Sequence, residues 1–142
     1  MKKAMLLVLP LILLCGCKDP YKACAQAGAD IGQSITAGFS TVTNLEQQGL
    51  ISKTEAANVA GYLEFANKAD EAFLTCAQTA HTAGSAAGSF TACAQTFNTT
   101  LNNPAELALI KVSNTQASQT ITTIINGVNA GISAVETALG GA

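Results

Sequence analysis

The sequence predicts an all-α protein, an antiparallel up-down bundle of about four helices. Apolar and small residues recur in alternating steps of three and four along most of the chain after residue 20, which places them on one side of a helix. Helix-capping residues stand where the periodic stretches begin, and short Gly-containing segments separate them. Short connections between helices favour antiparallel neighbours.

The first predicted helix covers residues 20–48. Asp19 and Pro20 suit a helix cap and a first turn, and Gly49 suits a helix stop. Its predicted buried stripe comprises Cys24, Gly28, Ile31, Ile35, Gly38, Val42 and Leu45.

The second predicted helix begins after Ser52 and ends near His81. Ser52 and Glu55 have the capping-box spacing, in which each side chain accepts a hydrogen bond from the other residue's backbone N–H. Its predicted stripe comprises Val59, Tyr62, Ala66, Ala69, Phe73, Cys76 and Ala80.

Two further helices are predicted after a turn at 82–89. The first is short and carries Phe90, Cys93, Phe97 and Leu101 on one side. The next begins at Asn103 and Pro104 and continues towards the end of the chain, with a predicted break at Asn126-Gly127. Its predicted stripe comprises Leu107, Ile110, Asn114, Ala117, Ile121, Ile124, Val128, Val135 and either Ala138 or Leu139.

Three cysteines are expected at one level of this bundle. Residues that face each other in a helical hairpin are symmetric about its turn, and this holds for Cys24 with Cys76 and for Cys76 with Cys93. Each cysteine begins a Cys-Ala-Gln tripeptide, whose alanine lets helices approach to disulfide distance. We expect one disulfide, with Cys76–Cys93 slightly favoured over Cys24–Cys76. The third cysteine is then either a buried thiol or available to a partner.

The first alternative to a disulfide is that the cysteines are buried free thiols. A metal or redox site built from the three cysteines, with His81 as a fourth ligand, is the weaker alternative. Metal-binding cysteines usually occur in closely spaced pairs, and this histidine lies more than a helical turn beyond Cys76. Asp70 and Glu71 diverge by about 100° on a helix, so we interpret this adjacent pair as a solvated face. No catalytic residue, metal site or small-molecule substrate is predicted, and the chain is not expected to be an enzyme.

The N-terminal segment has two lysines before an apolar run at 4–14, and it ends in the tetrapeptide Leu-Cys-Gly-Cys at 14–17. This segment resembles the signal peptide of bacterial lipoproteins, and the tetrapeptide resembles its lipobox. The run is shorter than the roughly 20 residues that span a bilayer. An ordinary cleaved signal and a retained anchor are the alternatives. The resemblance implies a cleaved signal peptide at 1–16, a lipidated tether at 17–19 and a helical domain at 20–142.

The same resemblance implies that Cys17 carries a covalent lipid, and no other cofactor is expected. Lys18 follows it, whereas an aspartate at that position retains such lipoproteins in the inner membrane. An outer-membrane location is therefore implied, with the domain facing the periplasm and the membrane contacted through N-terminal acylation. Two or three acyl chains hold a protein firmly at a bilayer.

The charged residues are few and unevenly distributed. Residues 17–142 contain no arginine, and with five lysines and nine acids their net charge is about −4. Nucleic acid is therefore not an expected partner, because phosphate recognition depends on basic clusters. Eleven charged residues lie between Lys18 and Glu71, but only Glu106, Lys111 and Glu136 follow.

Three classes of function are consistent with these patterns. The favoured class is a tethered structural or protein-interaction module, whose nearly neutral second half contacts either an envelope protein or further copies of the chain. The second is an envelope exclusion or membrane-disturbing factor that uses the uncharged C-terminal helix at a membrane surface. The third and least favoured is a thiol-based redox or metal-binding protein.

Overall fold

A computed structural model describes residues 19–140, which form helices joined by turns, with no strand in this range. The predicted signal peptide and Cys17 lie outside the described residues. The helices are α1 (Pro20–Gln47), α2 (Lys53–Thr82), α3 (Ala87–Leu101), α4 (Pro104–Leu109) and α5 (Thr115–Gly140).

The helices form the predicted bundle, with the long ones arranged around a common core. Helix α1 packs against α2 and α5, and α3 also packs against both α2 and α5. Helix α3 packs along α2 as far back as Tyr62, whose hydroxyl lies 3.5 Å from the Leu101 carbonyl oxygen at the end of α3. The short helix α4 then packs against α2. It buries none of its residues, and Leu109 is 54% exposed.

Both hairpin turns have the same backbone design. Gly49 after α1 and Gly84 after α2 have φ angles of +69° and +63°, a conformation that glycine adopts without steric cost. The Gly49 N–H bonds to the Glu46 carbonyl, and the next N–H, of Leu50, bonds back to Leu45. This Schellman arrangement satisfies the last carbonyl groups of the helix. The predicted stops of the first two helices are therefore accurate to within about a residue.

Close helix contacts surround α1, where glycines face large side chains. A Cβ atom on Gly28 would lie 2.4 Å from Leu74 Cδ2, and one on Gly131 would lie 2.7 Å from Ile31 Cγ1. Both glycines therefore bring their helices together. The largest fully buried side chains are Ile31, Ile35, Leu63, Leu101 and Val128. Burial of each large apolar side chain contributes about 2 kcal/mol to folding.

The long helix predicted after residue 104 is in fact two helices, and the position of the break differs from the prediction. Helix α5 runs without interruption through Asn126-Gly127, and the chain instead breaks between α4 and α5. Asn114 was expected in the buried stripe, but its side chain accepts a hydrogen bond from Ala117 N at 2.9 Å and caps α5.

Glu55 stabilises this break, although it lies 58 positions before Ser113 in the sequence. Its Oε2 accepts the Ser52 N–H at 2.8 Å in the predicted capping box. Its Oε1 accepts both the backbone N–H and the hydroxyl of Ser113, at 2.7 and 2.8 Å. Hydrogen bonds from the Ser52 N–H first, and then from Ser113, lower the pKa of Glu55 to about 2. One carboxylate therefore ties the start of α2 to the segment before α5.

The predicted buried stripes are correct for α1 and nearly so for α2, but the stripe predicted after residue 104 is only partly correct, because Leu107 and Ile110 are only partly buried. Every residue of the predicted α1 stripe is buried. In α2, Cys76 was expected to be buried but is exposed, while Ala77 is buried in its place. In α5, Ile132 joins the core, whereas Ile124 is only partly buried.

Candidate functional site

Cys76 and Cys93 are joined in a disulfide between α2 and α3. Their Cα atoms are 5.8 Å apart, within the usual range for a disulfide. Cys76 is exposed and Cys93 is buried. The bond lies close to the α2–α3 turn, in a shallow groove that also includes Thr79, Ala80 and Ser85.

Cys24 is the remaining cysteine of the bundle, and its thiol is free and fully buried. It lies between Tyr21, which contacts Gln78, and Gly28, which faces Leu74, so it is level with the disulfide. Burial raises the pKa of Cys24 to about 11. Because the nucleophilic thiolate is then scarce at neutral pH, the arrangement does not favour thiol chemistry at this residue.

His81 is exposed and stacks on Tyr21. The two ring centroids are 4.2 Å apart, with an interplanar angle of 14°, and the Tyr21 hydroxyl donates to Gln78 Oε1. These contacts fasten the end of α2 to the start of α1. Among residues 19–140, no group of three or more His, Cys, Asp or Glu side chains is placed to hold a metal ion.

Asp70 is buried, so the interpretation of Asp70-Glu71 as a solvated face is wrong for this residue. It is only 5% exposed, and its Oδ1 atom has no hydrogen-bond partner. A Cβ atom on Gly32 would lie 3.8 Å from Asp70 Oδ2, which places the carboxylate against α1. Burial, and secondarily the charge of Glu71, raise the pKa of Asp70 to about 6. The spacing of Asp70 from the buried Ala66 and Phe73 is the sequence signal that identifies it.

The most extended candidate for an interaction surface is the nearly uncharged side of α3 and α5. These neighbouring helices contain one charged residue between them, Glu136, whose carboxylate accepts a hydrogen bond from Asn98 at 3.4 Å. We call the exposed side of α3 and α5 the neutral face. Its exposed polar residues include Gln95, Thr99, Thr122, Asn126, Ser133 and Thr137.

Threonine hydroxyls on α3 and α5 bond to their own helices. Within the described range, seven of these threonines donate to the carbonyl group four residues earlier. Thr99 and Thr137 are examples, at 2.9 and 2.8 Å. Their hydroxyl protons are therefore already bonded, so burying these side chains leaves no donor unpaired. The neutral face consequently costs less to dehydrate than its polar composition indicates.

The opposite side of the bundle differs sharply in charge. Helices α1 and α2 together hold six carboxylates and three lysines, which leaves them with a net negative charge. The concentration of charged residues in the first half of the chain is visible in the sequence. Only the packing of α3 beside α5 shows that the uncharged segments form one surface.

Helix α5 directs its apolar stripe into the core rather than outwards. Ile121, Val128, Ile132 and Val135 are all buried. Within residues 19–140, no helix combines the length and hydropathy required to cross a bilayer.

Comparisons with protein-family models, curated proteins and solved structures find no match to this chain.

Proposed function

We propose that the protein is a lipid-anchored module of the cell envelope whose helical bundle acts through protein interaction. In this proposal Cys17 carries the lipid, the anchor lies in the outer membrane, and the bundle faces the periplasm. The role is structural or one of protein interaction, rather than catalytic. The observation that carries the proposal is the neutral face of α3 and α5, which is the side of the bundle best suited to burial against another protein.

The geometry supports this function over the two alternatives. A membrane-disturbing role for α5 would require its buried apolar stripe to leave the core, because its exposed residues are mainly Thr, Gln, Asn, Ser and Ala. A redox or metal role would require accessible thiolates, whereas Cys24 is buried and the other two bundle cysteines form a disulfide. An interaction module uses the surface that the folded bundle already presents.

The lipid anchor is tested by replacing the acylated residue. In cells fed radiolabelled palmitate, we expect the wild-type protein to be labelled and to sediment with outer membranes. Cys17→Ser should lose both properties, since it removes the sulfur that receives the lipid. Cys15→Ser is the matched control, because that residue lies in the predicted signal peptide, and it should behave like the wild type. A labelled Cys17→Ser protein would contradict the proposed anchor.

The interaction is tested separately by photocrosslinking in the intact envelope. A photocrosslinking amino acid is placed at Asn126 on the neutral face, or at Ser40 on the exposed side of α1 as the control. We expect a discrete protein adduct from position 126 and little or none from position 40. Absence of an adduct from position 126, or equal adducts from both positions, would refute the neutral face as an interaction surface.

A further inference from the structure

We infer that the occupant of the neutral face is a second copy of this chain, so that two bundles pair through α3 and α5. This inference rests on the proposed interaction function and names its partner. In the dimer, α3 of one copy lies against α5 of the other, about a twofold axis parallel to the bundle axis. Twofold pairing is the commonest form of self-association in soluble proteins.

Charge is the first argument for a second copy. Two copies that approach through α1 and α2 bring together net negative surfaces, because those helices hold five carboxylates and three lysines outside the core of each copy. Two neutral faces meet without this repulsion. The single carboxylate on that side, Glu136, already has Asn98 as a hydrogen-bond donor. A strongly charged partner would instead find no complementary group on α3 or α5.

The dimensions of the neutral face fit a modest dimer. Helix α5 has 26 residues and α3 has 15, which correspond to lengths of about 39 and 22 Å. Because α5 of one copy lies only against α3 of the other, the paired length is that of α3, about 22 Å. Two such strips, each about 10 Å wide, cover about 440 Å² per copy, or about 900 Å² for a pair. This area lies in the range of weak, transient interfaces. Confinement of both copies by lipid anchors would raise their effective concentration and favour pairing.

The direction of the helices also fits two copies on one membrane. Helix α1 is antiparallel to α2, because Gly28 faces Leu74 and Gly38 faces Leu63. It is also antiparallel to α5, because Gly131 faces Ile31 and Gly38 faces Ile124. Helix α3 is antiparallel to α2, through the Cys76–Cys93 bond and the Tyr62–Leu101 contact. Helices α3 and α5 are therefore antiparallel to each other. A twofold axis along the bundle therefore sets α3 antiparallel to α5 of the other copy and leaves both N-termini at the same end. The Asn98–Glu136 contact fixes the relative height of the two helices, and it places Gln95 near the level of Thr137.

The identity of the occupant is tested with two differently tagged full-length copies expressed together. The photocrosslinker is placed at Asn126 in one copy, and its adduct is purified through that copy's tag. We expect the adduct to contain the second tag and to have twice the mass of the monomer. An adduct with a different protein would overturn the dimer but leave the interaction function intact. Failure to form any adduct would refute both.

The pairing of α3 with α5 is tested by charge exchange. Gln95→Lys and Thr137→Glu each place an unpaired charge in the interface, and each should lower the dimer adduct roughly tenfold. Gln95→Lys in one tagged copy and Thr137→Glu in the other can pair only across the interface, and the mixed adduct should return to within about threefold of the wild type. Gln33→Lys on the exposed side of α1 is the control and should have no effect. Unchanged adducts in the single variants, or no recovery in the mixed pair, would overturn this pairing.

Discussion

Replacement of Asp70 with asparagine is expected to stabilise the bundle at neutral pH. The carboxylate is 5% exposed, and its Oδ1 atom has no hydrogen-bond partner. Asparagine has nearly the same shape and carries no charge, so it removes the cost of keeping a buried, incompletely paired anion in the α1–α2 contact.

The size of the effect follows from the pKa of this carboxyl group. Burial raises the pKa of Asp70 from 3.8 to about 6, a change of about two units. Each unit corresponds to about 1.4 kcal/mol, so ionisation lowers the free energy of unfolding at pH 7 by about 3 kcal/mol. Because the asparagine amide is also a buried polar group, we expect a net gain of about 1 to 3 kcal/mol.

The pH dependence provides the sharper test. Between the unfolded pKa of 3.8 and the folded value of about 6, the native state binds more protons than the unfolded state, so wild-type stability falls as the pH rises. The advantage of Asp70→Asn should therefore be small near pH 4, grow to about pH 6 and remain constant above it. Glu55 has a lowered pKa and acts in the opposite direction below about pH 4.5, but it is common to both proteins and cancels in the difference.

Urea denaturation of the oxidised protein from pH 4 to pH 8 measures this difference. At pH 7 the midpoint of Asp70→Asn should lie about 1 M above that of the wild type. Asp30→Asn is the matched control, because Asp30 is an exposed carboxylate on α1, and its effect should stay within about 0.5 kcal/mol. An Asp70→Asn protein that is no more stable than the wild type at pH 7 would refute the reasoning.

Four further variants test the contacts that hold the bundle. Glu55→Gln should lower stability at pH 6 and weaken the acid-induced loss of stability between about pH 4.5 and pH 2, as urea titrations at several pH values would show. The double variant Cys76→Ala/Cys93→Ala should lose about 3 kcal/mol in the chain-entropy description, measured by thermal unfolding against the wild type. Gly131→Ala should destabilise by about 1 to 2 kcal/mol, because its Cβ would lie 2.7 Å from a stiff isoleucine. Gly127→Ala, with only an ordinary contact at 3.8 Å, should stabilise by up to about 1 kcal/mol; equal effects of the two alanines would contradict the packing.

Features set by neighbouring residues could be predicted from the sequence. The Ser52–Glu55 capping box and the glycine after each of the first two helices act within a few residues, and they locate the hairpin turns correctly. Once the turns are known, symmetry about them brings Cys76 and Cys93 together. The α1 stripe was also predictable, because its spacing is regular along the whole helix.

Features set by distant residues could not be predicted in this way. The break before α5 depends on hydrogen bonds between Glu55 and Ser113, which are 58 positions apart. The burial of Asp70 depends on the space beside Gly32 in another helix. For the candidate site, the absence of charge was visible in the sequence. Its extent as one surface depends on the packing of α3 beside α5.

The disulfide between α2 and α3 also determines the outcome of proteolytic cleavage in the turn that it encloses. The turn at 83–86 is largely exposed and contains Gly84, so it suits a protease better than the helices around it. The Cys76–Cys93 bond spans this turn. A single cleavage there would leave both fragments covalently joined and folded together, and they would separate on a denaturing gel only after reduction.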